Sequence, residues 1–190
     1  RGYTSLEEVI KKSKANPGKL TAGIGGKFGA HDVLANAING YKNAGFRIIA
    51  YDGGASLKKA TIANEVDICI IHSPVLLNEV KAGLLNVIGT GGSLAKITYP
   101  PIRGTKTLRE IGIPADVGVT RGVWAPKGTP KDVIKKLEKF IEQAANSAQF
   151  KKFGNNFGFA PKYYTSSQFL DLLNLEQGVY TDIKGKFMSK

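Results

Sequence analysis

The chain has 190 residues, 27 Lys and Arg against 15 Asp and Glu, a formal charge of +12 and a single cysteine, Cys69. That length buries a real core without crosslinks, one cysteine allows no disulfide within the chain, and no apolar run reaches the length of a membrane-spanning helix. The basic excess is compatible with nucleic acid, an anionic membrane surface or a negatively charged small ligand; spread over both halves rather than gathered in a tail, it fits a generally basic soluble protein better than a nucleic-acid arm, so no nucleic-acid partner is expected.

In chain order, Thr4-Ser-Leu-Glu7 reads as a capping box that opens a helix with Leu6, Val9 and Ile10 on one face, ended by Pro17. Leu20–Ile24 reads as a short strand, followed by a glycine-rich loop and a helix from about Ala30 whose Val33, Leu34, Ala37, Ile38 and Tyr41 share a stripe until Gly45. The pattern repeats. Phe46–Tyr51 is a predicted strand, Asp52-Gly-Gly54 a turn, and 55–65 a helix. Val66–Ile71 is a buried-type strand in which Cys69 reads as an inert thiol. Ser73 then caps a helix with Pro74 in its first position, ending at Gly83, and Leu84–Gly89 reads as another strand. Strand, loop and helix in alternation predict an α/β fold, a mostly parallel sheet flanked by helices.

Beyond the glycine- and serine-rich 90–105, a second capping box, Thr107-Leu-Arg-Glu110, predicts a short helix closed by Gly112 and Pro114, and Val117–Trp124 reads as extended. Thr129 and Pro130 open a helix with Val133, Ile134, Leu137, Phe140, Ile141 and Ala144 on one face. The lysines of 131–139 lie opposite that stripe and read as a solvated face. A short helix at Phe150–Phe153, a strand at Phe159–Tyr164 and a helix capped by Thr165 with Gln168, facing inward through Phe169, Leu172 and Leu173, complete the chain.

The stretch TAGIGGKFGAH, Thr21 to His31, carries the chemistry. A Walker loop needs Ser or Thr after Lys27 and finds Phe28; the dinucleotide fingerprint needs glycine at 28 and fails there too. What remains is a run of amides at a helix N-terminus, open at Gly23, Gly25, Gly26 and Gly29, which suits an anion. The glycines equally serve a tight turn or close packing. His31 is open to two readings, a helix-starting residue bonded to backbone or a ligand contact. His72, at the C-terminal end of a strand where open sheets place ligands, is equally divided. No nucleophile and base stand in a catalytic context, so no enzyme and no cofactor is expected; with only His31, His72 and Cys69 as soft ligands, neither is a structural zinc site.

The order of motifs resembles the extracytoplasmic solute-binding receptors of the tripartite tricarboxylate transporter family. The matching residues are Asn16-Pro-Gly-Lys-Leu-Thr21 leading to the glycine loop and His31; Tyr51-Asp-Gly-Gly-Ala55, where the family has Tyr-Lys-Gly-Gly-Ala; Val66-Asp67; Lys81-Ala-Gly83; Thr107-Leu-Arg-Glu110 with Gly112 and Pro114; and Trp124-Ala-Pro-Lys-Gly-Thr-Pro130. The resemblance implies a bilobed type II periplasmic-binding-protein fold, with two lobes closing around a small carboxylate-bearing solute and docking on a membrane permease. By position it assigns Gly25, Gly26, Lys27, Gly29 and His31 to a first ligand loop, Tyr51, Gly53 and Gly54 to a second, and His72 with Ser73 to a third.

Two departures stand out. The family's Ser or Thr just before the histidine is replaced by Phe28, Gly29 and Ala30, so Lys27 is the candidate source of charge. The family also carries a long segment ahead of the position of Arg1. The resemblance therefore implies that 1–118 is the second lobe, 119–125 the hinge strand, and 126–190 a helical segment that normally packs on the other, N-terminal, lobe. A periplasmic or extracytoplasmic location is implied, with no signal peptide in this chain. The stripe of Val133, Leu137, Phe140 and Ile141 is expected to pack back on this lobe or, by self-association, on another copy. The competing expectations are the effector-binding domain of a transcriptional regulator of the same fold class, and an enzyme binding a phosphorylated substrate at the glycine loop.

Overall fold

Thr21–Ile24 forms strand β1, and all of its residues are buried. A strand covered on both faces is a central strand, and β2 (Arg47–Ala50) and β3 (Ile68–Ile70) pair with it in parallel, giving the order β2-β1-β3. The structure is a computed structural model that describes residues 2–91, 104–115, 117–159 and 161–188. At the start of β1, Thr21 donates both its N–H and its Oγ1 to the Asp67 carboxylate at 2.8 Å, and the Asp67 N–H donates back to Thr21 Oγ1 at 2.9 Å. This charge-assisted clamp ties the residue before β3 to β1.

One face of the sheet is covered by α1 (Leu6–Ala15) and α2 (Ala30–Lys42), whose Leu6, Val9, Ile10, Val33, Ala37 and Ile38 join Ala22 and Ile68 in a single core. Helix α3 (Gly53–Ile62) covers the other, and Gly23 lets it approach: a Cβ there would lie 2.5 Å from Leu57 Cδ1. A 3-10 turn, Ser73–Val75, and the short α4 (Leu77–Lys81) follow β3. The capping boxes shift or shrink relative to expectation. Ser5, not Thr4, caps α1, accepting from Glu8 N–H, while the Glu8 carboxylate turns back to Thr4 N–H. Thr107 and Glu110 make their reciprocal bonds but close only a turn, because Gly112 at φ +76° ends it at once.

Two expected strands do not form. Leu84–Gly89 is irregular, its Ile88 carbonyl accepting from Leu6 N–H at 2.8 Å, and just beyond it Thr90 makes an isolated parallel bridge to Thr107. The described residues of 159–164 are also irregular, since Pro161 interrupts any ladder there. The expected extended stretch at Val117–Trp124 has no strand partner among the described residues.

Three helices follow: α5 (Lys131–Asn146), α6 (Ala148–Phe157) and α7 (Ser166–Phe187), the last opened by the expected Thr165–Gln168 capping box. Pro130 is the cap residue of α5, one position later than expected, with Thr129 Oγ1 bonded to the Pro126 carbonyl. The far half of α7 returns to the sheet layer. Ile183 is fully buried in the core, Phe187 lies against Gly40 and edge-on to Tyr41, and Tyr41 Oη donates to Asp182 at 3.1 Å. The apolar stripe of α5 does not pack back on this lobe: no residue of that helix is buried, and Phe140 is 65 % exposed.

Candidate functional site

Parallel strands deliver their C-terminal ends to one edge of a sheet, so the loops leaving Ile24, Ala50 and Ile70 converge there. Gly25 lies at the meeting point. A Cβ on it would stand 2.6 Å from Ile71 Cδ1, 3.6 Å from His31 Nδ1 and 3.9 Å from the Gly53 carbonyl carbon, touching all three loops. Tyr51 N–H donates to the Ile24 carbonyl at 2.9 Å, extending the β1–β2 ladder into the second loop, and Gly54 lies where a Cβ would press on Val75 at 3.0 Å. Gly26 at φ +132° and Gly53 at φ +79° take backbone conformations that a side chain would strain.

The loops that carry Gly25, His31, Tyr51, Gly53, Gly54 and His72 thus meet at one edge of the sheet. Lys27 and Gly29 are exposed at the rim, as is Phe28, which stands 87 % exposed with φ +62°. Gly29 is the cap residue of α2 and supplies no side-chain bond, leaving the helix start without a capping side chain of its own. One loop amide is taken: Phe28 N–H donates to Asp32 Oδ2 at 2.8 Å, while Asn36 holds the other oxygen. Asp32 therefore sits buried beneath the loop and occupies one of its amides. Ser73 is turned away, its hydroxyl donating to the Gly158 carbonyl at 2.6 Å, so it anchors the end of α6 to the third loop.

His31 and His72 form a pair. His72 Nδ1 lies 3.5 Å from His31 Nε2 with ring centroids 5.5 Å apart, so the rings meet edge to edge through those nitrogens rather than face to face. Burial, and then the neighbouring His72, lower the His31 pKa; burial, and then the Arg121 charge, lower that of His72. Both shifts favour the neutral imidazole. Arg121 is the residue that sequence reasoning missed. It belongs to the segment crossing from the sheet layer to α5, and only its place in that crossing, beside the cleft the resemblance implies, signals it.

The geometry has counterparts. A family model described as tripartite tricarboxylate transporter family receptor matches residues 2–179. A Cupriavidus necator protein, the UPF0065 protein in gbd 5'region, is 27% identical over 165 residues, 87% of this chain and 49% of its own length. The protein BugT of Bordetella pertussis is 25% identical over 144 residues, 75% of this chain and 43% of its own. The chain spans about half the length of the curated relatives it matches. Among solved structures, R. palustris Rpa4515 with adipate superposes with a TM-score of 0.79 at 17% identity, covering 97% of this chain and 61% of that one. The periplasmic binding protein BugD superposes with a TM-score of 0.78 at 19% identity, covering 98% and 62%. These likenesses establish the periplasmic-binding-protein fold, and the match over nearly all of its length shows that the chain belongs to the tripartite tricarboxylate transporter receptor family.

Proposed function

We propose that the chain is part of an extracytoplasmic receptor that captures a small carboxylate-bearing solute at the converging strand ends and hands it to a membrane permease. The observation that carries this reading is the meeting of the three loops at Gly25, beside the His31–His72 pair. A carboxylate is held there by hydrogen bonds from amides and imidazole N–H groups, with Arg121 and Lys27 supplying long-range attraction. The solute is bound and released unchanged. The lobe of 1–118, the crossing of 119–125 and the segment 126–190 follow the domain plan of a bilobed receptor, and the bare faces of α5 and α6 suit contact with the other lobe. The adipate bound to Rpa4515 makes acids of that kind the first to test.

Calorimetry against succinate, adipate, citrate and a sugar phosphate tests the reading. Saturable binding of one of the acids without turnover is expected, and at about a hundredfold excess over Kd the ligand stabilises the fold by roughly 2.7 kcal/mol. Preference for the phosphate ester with its turnover would sink it.

A further inference from the structure

Asp32, the third residue of α2, is only 8 % exposed, and both of its carboxylate oxygens are engaged. Oδ2 accepts from Phe28 N–H at 2.8 Å and Oδ1 from Asn36 Nδ2 at 2.9 Å, while the same Asn36 amide also donates to the Asp32 carbonyl at 2.9 Å. In a capping box the third helical residue reaches back to the N–H of the cap residue, whose own side chain completes the pair. Here the cap residue is Gly29, which has no side chain to give, and Asp32 reaches one residue further out, into the loop. Little else holds that stretch. A Cβ on Gly26 or Gly29 would meet nothing within 4 Å, Lys27 is exposed, and Phe28 keeps φ +62° with its ring in solvent. Packing therefore does not fix the course of the loop between Gly25, where the three strand exits meet, and the start of α2; the Phe28–Asp32 bond does.

We propose that Asp32 is a positioning residue of the solute site: it touches no solute, and by holding Phe28 N–H it sets the glycine loop in place before the solute arrives. A loop that is already ordered spares the solute's carboxylate the entropy of ordering it, so the brace raises affinity without adding a contact. Helix α2 does not depend on this bond, because Val33, Leu34, Ala37 and Ile38 bury its inner face in the core. The brace can be cut with the helix still in place.

The proposal rests on the carboxylate-receptor reading, and the experiment separates the two. The parent chain, Asp32→Ala, Asp32→Asn and Asn36→Ala are compared by amide hydrogen exchange at Phe28 and by calorimetry with succinate and adipate. Asp32→Ala is expected to keep its circular dichroism and the slow exchange of Ala22 and Ile24, to speed exchange at Phe28 by about tenfold or more, and to weaken the acid that binds by about tenfold. Asp32→Asn keeps an oxygen for Phe28 N–H and is expected to recover both readouts to within about threefold of the parent. Asn36→Ala, which frees the carboxylate on its other side, is expected to weaken the acid by about threefold and carries the test should Asp32→Ala not fold. Acid affinity that stays at the parent's level while Phe28 exchanges freely, or that falls equally in Asp32→Ala and Asp32→Asn with Phe28 still protected in the latter, overturns the proposal and leaves the receptor reading standing. Acid bound by neither parent nor variants overturns the receptor reading and the positioning role with it, while slow exchange at Phe28 in the parent alone shows the brace to be structural.

Discussion

Phe28 holds φ +62° with its side chain in solvent, a conformation that costs an L-residue roughly 1–2 kcal/mol. Its N–H bond to Asp32 maintains it. Phe28→Gly removes the strain but adds freedom to the unfolded chain, so a net gain of a few tenths to about 1 kcal/mol in urea melts is expected. The Thr21–Asp67 clamp has the opposite sign. Thr21 is 5 % exposed, and Thr21→Val keeps the shape while stranding the Asp67 N–H and one bond of its carboxylate. A loss of about 1–3 kcal/mol is expected from the same melts. Val66-Asp67 was legible in the sequence as a motif; that it is a clamp needed the partner forty-six positions away.

At the scale of elements, the docking of α7 on α2 turns on Gly40. In an exposed helix interior Gly→Ala gains about 1 kcal/mol. Here a Cβ would lie 2.2 Å from Phe187 Cδ1, so Gly40→Ala must move the ring and is expected to cost about 1–3 kcal/mol instead. In a Phe187→Ala background the same substitution is expected to stabilise, and a double-mutant cycle by thermal melting reads the change of sign. Helix existence was legible throughout this region from caps and stripes. The partner of α7 was not, because Phe169, Leu172 and Leu173 near its start drew attention, while the buried contact is Ile183, one turn before Phe187. The two expected strands that do not form rested on apolar runs alone: Leu84–Gly89 gives its Ile88 carbonyl to Leu6 N–H, and the described residues of 159–164 include Pro161, which cannot donate to a ladder.

For the whole molecule, the segment after residue 117 is held to α7 through Glu176, which accepts from Thr120 Oγ1 at 3.5 Å. Burial raises the Glu176 pKa above its ordinary value, against the smaller lowering effects of Thr120 and the Gly118 backbone. A raised folded pKa means the ionised form costs stability above that pKa, and the cost vanishes as pH falls below the unfolded value. Glu176→Gln is therefore expected to be more stable than the parent at pH 7, the difference closing toward pH 4 in parallel melts. The uncovered stripe of α5, with Leu137 and Phe140 in solvent, makes self-association the expected behaviour of this chain alone. Sedimentation should show mass rising with concentration, and Phe140→Lys should return it to the monomer.

Local physics determined much of this protein in the sequence alone. Cap residues, apolar periods and glycines specify where α2 and α7 begin and that β1, β2 and β3 alternate with helices, since these depend on neighbours within a few turns; α3 starts at Gly53, inside the expected turn. Motif order along the chain was enough for the family. The tertiary structure alone decided that Asp32 occupies a loop amide, that Ser73 faces Gly158, that Arg121 bears on His72, and that His31 and His72 meet at 3.5 Å. Each is a contact between elements, fixed by which strand ends share an edge of the sheet, and no spacing along the chain encodes that distance.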